Sequence, residues 1–130
     1  MQLIDLSAAN QFFNEFVEAF ATFDGTVVAE RYMQPFMAVD SSGNSTLLQT
    51  RAEIADYFQT FLDEYRATGS NSCRYRDLDV VAIGSNSALM TVTWDLVRAD
   101  DTLSQSWRES YIVIRKESGL YVSTSVDHAS

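Results

Sequence analysis

His128 is the only histidine in the sequence and directly follows Asp127. An imidazole has a reference pKa of about 6.5, close to working pH, which suits it to general acid/base catalysis. The competing reading is a structural histidine that ties down the end of a strand through Asp127 or a backbone carbonyl. Asp40 is a second acid/base candidate, although the Ser41-Ser42-Gly43 that follows it is turn chemistry and equally suits a carboxylate capping its own turn. Arg108 carries a fork of donors that can hold an anionic ligand, or can pair with Glu109 or Asp95 across strands. Asp40 and His128 are therefore the candidate catalytic groups. Phe16, Tyr32, Tyr57, Phe58, Trp94, Arg108, Ser110 and Thr124 are the candidate substrate-binding side chains, because a mostly apolar cavity with a few convergent polar groups is what a small-molecule site needs.

The residue inventory excludes several chemistries. One histidine and one cysteine cannot close a zinc shell, so no metal is expected. Neither a Gly-x-Ser-x-Gly elbow nor a Gly-x-Gly-x-x-Gly turn is present, and no phosphate-cradling loop carries a lysine, so no cofactor is expected either. Asp100-Asp101 lacks the repeated ligands of a calcium loop and reads as hairpin-turn chemistry. Cys73 opens a strand with no histidine near it and reads as a small apolar residue.

These side chains must be positioned by helices first and a long sheet afterwards. Phe12, Phe13, Phe16, Val17, Phe20 and Phe23 recur at helical spacing, predicting an amphipathic helix over 7–23. Asp24-Gly25 ends it, and Thr26 is expected to cap a short second helix that runs through Tyr32 until Pro35 stops it. Residues 36–40 and 45–48 predict a small hairpin around Ser41-Ser42-Gly43-Asn44. Thr50-Arg51-Ala52-Glu53 is a capping box and must open a third helix, with Gly69 as its stop. From there the period changes to two: 73–83, 88–98, 104–116 and 120–128 predict a four-stranded antiparallel meander. Alternation assigns Arg108, Ser110, Ile112 and Ile114 of one strand, and Leu120, Val122, Thr124, Val126 and His128 of the next, to the concave face beneath the helices. Met90, Val92, Trp94 and Leu96 share that face on the strand before, and Phe16, Phe20, Phe36, Ile54, Phe58, Phe61, Met90 and Trp94 are expected to meet in one interior. The fold class is α+β, with N-terminal helices covering one side of a strongly curved antiparallel sheet.

At 130 residues and 46% hydrophobic content, one domain over 1–130 with a substantial core is expected. A net charge of −9 disfavours nucleic acid as a partner. A cytoplasmic protein is expected, since the opening residues lack a secretory leader pattern and no apolar run approaches the ~20 residues of a membrane span. Tyr111, Val113, Tyr121, Leu89 and Val97 are assigned to the outer face, where so much apolar surface predicts a homodimer.

The order of elements, together with Arg108-x-Ser110-x-Ile112-x-Ile114 and the closing Asp127-His128-Ala129-Ser130, resembles the NTF2-like superfamily, in particular its SnoaL-like, DUF4440-type members. The resemblance spans nearly the whole chain. It implies a conical α+β fold, a pocket between helices and sheet that takes a hydrophobic small molecule, and frequent dimers through the outer sheet face. Val39-Asp40-x-x-Gly43 is similar to the segment that carries the general-base aspartate of ketosteroid isomerases, which would turn Asp40 into the pocket. The chain departs from those enzymes at their oxyanion hole, a Tyr and a protonated Asp in an apolar setting. Phe16 stands at the Tyr position, and Ser110 or Glu109 at the Asp position. The last strand has Tyr121 or Val122 in place of the family's Trp and holds His128 one residue further from Gly119 than the resemblance implies. Two functions follow as expectations: isomerisation, dehydration or cyclisation of a hydrophobic substrate by Asp40 and His128, or a non-catalytic ligand-binding or dimerisation module. A cavity of several hundred Å³ with both groups facing in would favour the first, and a plugged one the second.

Overall fold

The computed structural model describes residues 2–130. Helix α1 (Leu6–Phe20) is capped by Asp5, whose carboxylate accepts from Ala8 N at 2.9 Å. A carboxylate there satisfies one of the amides that a first helical turn leaves without a partner. The short α2 (Gly25–Ala29) takes Asp24 as its N-cap. Gln59 of α3 (Arg51–Ala67) locks the two together, accepting from Gly25 N at 2.7 Å and donating to Phe23 O at 3.1 Å. Gly25 is required for this close approach, since a Cβ there would run into the Ala55 carbonyl. The capping box forms at the head of α3: Thr50 Oγ1 accepts from Glu53 N at 3.2 Å, while Glu53 reaches back to Gln49 N at 3.2 Å.

Tyr32 corrects the expected extent of the second helix. It opens strand β1 (Tyr32–Val39), which passes through Pro35 and returns as β2 (Ser45–Leu48). Proline has no N–H to give a ladder, and the pairing of β1 with its neighbour is irregular between Tyr32 and Met37. The meander follows as β3 (Ser70–Ile83), β4 (Ser87–Arg98), β5 (Leu103–Lys116) and β6 (Gly119–Asp127). The six strands lie in the order β2-β1-β6-β5-β4-β3, so β1 joins the meander by pairing parallel to β6. That one parallel contact brings the hairpin and the end of the chain side by side.

The core lies between the helices and one face of this sheet. Phe13 is fully buried, with its ring centroid 5.8 Å from that of Trp94 and 5.5 Å from that of Tyr111. Phe16, Phe20, Phe36, Ile54, Met90 and Trp94 join the same buried cluster as expected, and Phe58 packs against it half-buried. Tyr111, Val113 and Val97, expected on the outer face, are instead buried.

For Val97 the pairing of β4 with β5 shifts between Leu96 and Val97; for Tyr111 and Val113 the reason lies in β5 and its register with β6. Tyr111 pairs with Ser125 and Ile112 with Thr124, but Val113 pairs with Val122, leaving Ser123 as an extra residue on β6. One inserted residue reverses the facing of everything on one side of it. Leu120 and Val122 face the core before the bulge; beyond it, Ser125 and Asp127 face in while Thr124, Val126 and His128 face out. On β5 the inward set is Trp107, Glu109, Tyr111 and Val113, so Arg108, Ser110, Ile112 and Ile114 lie on the convex face.

Candidate functional site

A cavity of about 100 Å³ opens between α1, α3 and the concave sheet face. Its wall is aromatic on nearly every side, with Phe16 and Phe20 from α1, Tyr57, Phe58, Phe61 and Tyr65 from α3, and Tyr32, Trp94, Trp107 and Tyr111 from the strands. Two carboxyls interrupt it. Glu109 of β5 and Asp127 of β6 are directly paired across the ladder and both line the cavity.

Both carboxyls are half-buried and border the cavity. Trp107 Nε1 donates to Glu109 Oε1 at 2.9 Å. Trp94 Nε1 donates to the Tyr111 hydroxyl at 2.6 Å, and the neighbouring Tyr111 hydroxyl works to lower the pKa of the Glu109 carboxyl, as Trp107 does. Burial, and then the negative charge of Asp127, push the Glu109 carboxyl up to about 8. Burial and Asp40 also raise Asp127, against which the hydrogen bond from Glu109 and the nearby His128 work in the other direction. Two carboxyls this close in an apolar wall cannot both ionise cheaply, so near neutral pH they hold one proton on Glu109, donated toward an ionised Asp127. The same burial, and the charge of the pair, raise Tyr32, Tyr57, Tyr65 and Tyr111 above the ordinary phenol range. All four remain neutral O–H groups at any working pH. Cys73 lies at the floor of the cavity with its thiol pushed up to about 12 by burial, which makes it an apolar lining atom rather than a nucleophile.

Of the side chains proposed from sequence, Phe16, Tyr32, Tyr57, Phe58 and Trp94 line this cavity. The others do not. The Asp40 carboxylate accepts from Ser42 N at 2.9 Å and Asn44 N at 3.0 Å, so it caps its turn, exposed, and reaches the site only through its charge on Asp127. His128 Nε2 lies 2.7 Å from Ser110 Oγ, which is 2.8 Å from Thr91 Oγ1, and the backbone N–H of His128 donates to Arg108 O. This chain runs along the convex face, and Thr124 lies there too. Arg108 pairs with neither Glu109 nor Asp95; it bonds Asp79 at 3.0 Å, Thr93 Oγ1 at 3.1 Å and Asp77 O at 3.0 Å. Asp95 is taken by Arg76 and Ser106. Placing Arg108, Ser110, Thr124 and His128 on the concave face is thus corrected by the parity of β5 and the bulge at Ser123. From sequence, Glu109 enters only as a partner for Arg108 or as one of two residues at the oxyanion-hole Asp position, and Asp127 only as a partner for His128. The signal that would have found them is the extra residue between Gly119 and His128.

The chain matches the family model of the NTF2-like protein (DUF6841) over residues 7–130 and belongs to that NTF2-like family. Solved structures agree on the fold. A domain of unknown function with a cystatin-like fold from Nostoc punctiforme superposes with a TM-score of 0.76 at 22% identity, covering 100% of this chain and 80% of its own. An NTF2-like protein of unknown function from Shewanella oneidensis gives 0.72 at 14% identity, covering 94% and 97%. An NTF2-like family member from Streptomyces avermitilis, provisionally assigned as a dehydratase, gives 0.71 at 14% identity, covering 95% and 94%. A comparison with curated proteins gives no match. Among the described residues no helix is long and apolar enough to cross a membrane, and no group of side chains is arranged to hold a metal ion.

Proposed function

We propose that this protein takes a small, largely apolar molecule into the concave cavity and moves protons on it with the Glu109–Asp127 pair, as an isomerase, dehydratase or cyclase does. The observation that carries the reading is a carboxyl pair, Glu109 and Asp127, directly opposite each other on two strands and lining an aromatic cavity. Asp127, ionised, is the base; Glu109, protonated, is the acid or hydrogen-bond donor, as a carboxylic acid kept neutral in an apolar setting can be. Trp94, Tyr111 and Trp107 are positioning residues that hold Glu109 in place. The roles first given to Asp40 and His128 pass to Asp127 and Glu109, because only the latter two border the cavity.

The test uses acetone as probe, a molecule small enough for the cavity and with exchangeable hydrogens beside a carbonyl. Wild type in deuterated buffer is expected to speed wash-in of deuterium at least ~100-fold over buffer, the lower end of what a positioned base supplies. Asp127→Asn should abolish the effect and His128→Gln should leave it intact. No acceleration by a well-folded wild type would contradict the reading. In that case a second function, ligand binding without turnover, is favoured by one specific observation: about 100 Å³ is small for a substrate pocket.

The convex face is assigned to a second copy of the chain. Val81, Ile83 and Val126 are exposed there beside half-buried Leu89, Ile112 and Ile114, and this much apolar surface on one sheet face favours an isologous dimer.

A further inference from the structure

We propose that the ligand of the concave cavity carries a compact organic cation, an alkylammonium group, seated between the Glu109–Asp127 pair and the surrounding aromatic rings. The inference deepens the reading above, resting on the cavity being a ligand site, and names the chemistry its occupant must bring.

Three observations carry it. The first is charge. A carboxyl pair faces the cavity, yet among the described residues no lysine, arginine or histidine lines it. Arg76, Arg108 and Arg31 are engaged elsewhere, with Asp95, Asp79 and Glu15. A buried carboxylate without a cation is costly, and an anionic ligand would add a like charge to it. A cationic ligand supplies the missing partner.

The second is the wall. Tyr32, Tyr65, Trp94 and Trp107 present rings around the same space, and the negative face of an aromatic ring attracts an ammonium within about 6 Å of its centroid. Such a wall binds an alkylammonium better than a bare metal ion, whose hydration shell the rings cannot replace. The third is a hydroxyl-bearing ring at the wall. Tyr32 is 1% exposed and borders the cavity, and no fully buried side-chain polar atom among the described residues is left without a partner, so its hydroxyl is offered to an occupant only where it meets the cavity. Its oxygen can accept from an N–H or lie against the positive methyl edge of a quaternary head.

Size agrees with charge. About 100 Å³ is less than the roughly 150 Å³ of an apolar cavity that admits benzene, and fits a trimethylammonium head rather than a polycyclic body. The net charge of −9 would draw such a ligand toward the protein.

Proton balance gives the binding a signature. Seating a cation beside the pair favours ionisation of Glu109, so one proton leaves its carboxyl for the buffer while the ligand's charge replaces it. The groups facing the pair are Tyr32 of β1, Tyr57 and Tyr65 of α3 and Tyr111 of β5, all neutral, with Asp40 and His128 acting on Asp127 from outside the cavity.

The experiment is isothermal titration of the full chain with choline and with dimethylbutanol, its uncharged carbon isostere, in buffers of different ionisation enthalpy. Choline is expected to bind at least ~10-fold more tightly, to release close to one proton per site at neutral pH, and to tighten as pH rises through the range where Glu109 gives up its proton. Asp127→Asn and Glu109→Gln should each weaken it about tenfold or more. The isostere comparison is made on wild type, so it stands even if a variant misfolds. Equal or tighter binding of dimethylbutanol, or no choline binding at all, overturns the cation inference. If acetone wash-in persists in either case, the acid/base reading survives without it; if wash-in is absent while choline binds as stated, the cation inference stands on a binding site alone.

Discussion

The two faces of β5 and β6 carry similar side chains and do different work. On the concave face, Glu109 and Asp127 sit under helices, lose water and share a proton. On the convex face, Arg108, Ser110 and His128 are spaced along the same strands but stay half-buried, and each finds an ordinary partner in Asp79, Thr91 or Ser110. Polar residues at matching positions along one ladder thus become either an enclosed carboxyl pair or a set of surface hydrogen bonds. The difference comes from enclosure: a charge beside bulk water is screened, whereas the same charge in an aromatic wall raises the pKa of everything near it.

The comparison can be broken most forcefully at the packing that encloses the concave pair. Phe13→Ala removes a fully buried ring that touches Phe16, Tyr75, Trp94 and Tyr111. It should cost about 3–5 kcal/mol in denaturant melts. A loss under about 1 kcal/mol would mean the enclosure is loose, and the argument from burial would fail with it.

Glu109→Gln comes next. The folded pKa of Glu109, about 8, lies above its ordinary value of 4.5. Between these values the native state holds a proton that the unfolded chain has released, so the stabilising contribution is full at low pH and declines as pH rises through about 8. Glutamine cannot ionise, so the variant should lose this part of the pH slope and at pH near 9 exceed wild type by ~2 kcal/mol. Melts of both proteins at a series of pH values decide it; parallel profiles would remove the buried acid from the account.

Val126→Lys tests the convex face. A charge at this exposed position of the convex face should weaken dimerisation by about tenfold or more, near 1.4 kcal/mol, while leaving the fold intact. Light scattering should move from a two-chain mass toward 14.6 kDa. A wild type that already runs at that mass would end the dimer proposal. The smallest effect is expected from His128→Gln, under about 1 kcal/mol, since one partly exposed hydrogen bond to Ser110 is all the ring is seen to make. A loss of wash-in activity with an unchanged melt would return the catalytic role to His128.

How much of this was legible differs by element. The capping box of α3, the Phe stripe of α1 and the turns between the meander strands are local patterns, and each appears in the structure where residue chemistry placed it. The parallel pairing of β1 with β6 is not local, so nothing in either segment announced it. The site failed for a sharper reason. On β5 both faces are amphipathic, with Ile112 and Ile114 on one side and Tyr111 and Val113 on the other, so alternation alone could not choose. On β6 a bulge at Ser123 reverses the alternation, so unbroken alternation puts His128 where Asp127 stands and turns the acid that faces Glu109 outward.

The measurement that bears most directly on the shared proton is a carbon-detected NMR titration of the aspartate and glutamate carboxyls. Glu109 should hold its proton to about pH 8, with Asp127 shifted above the ordinary aspartate range by burial and by Asp40, and in the Glu109→Gln variant Asp127 should stay raised, because Glu109 holds it down rather than up. If every carboxyl in wild type is ionised below pH ~5, as solvated carboxyls are, then Glu109 and Asp127 share no proton and the concave cavity is not the site described.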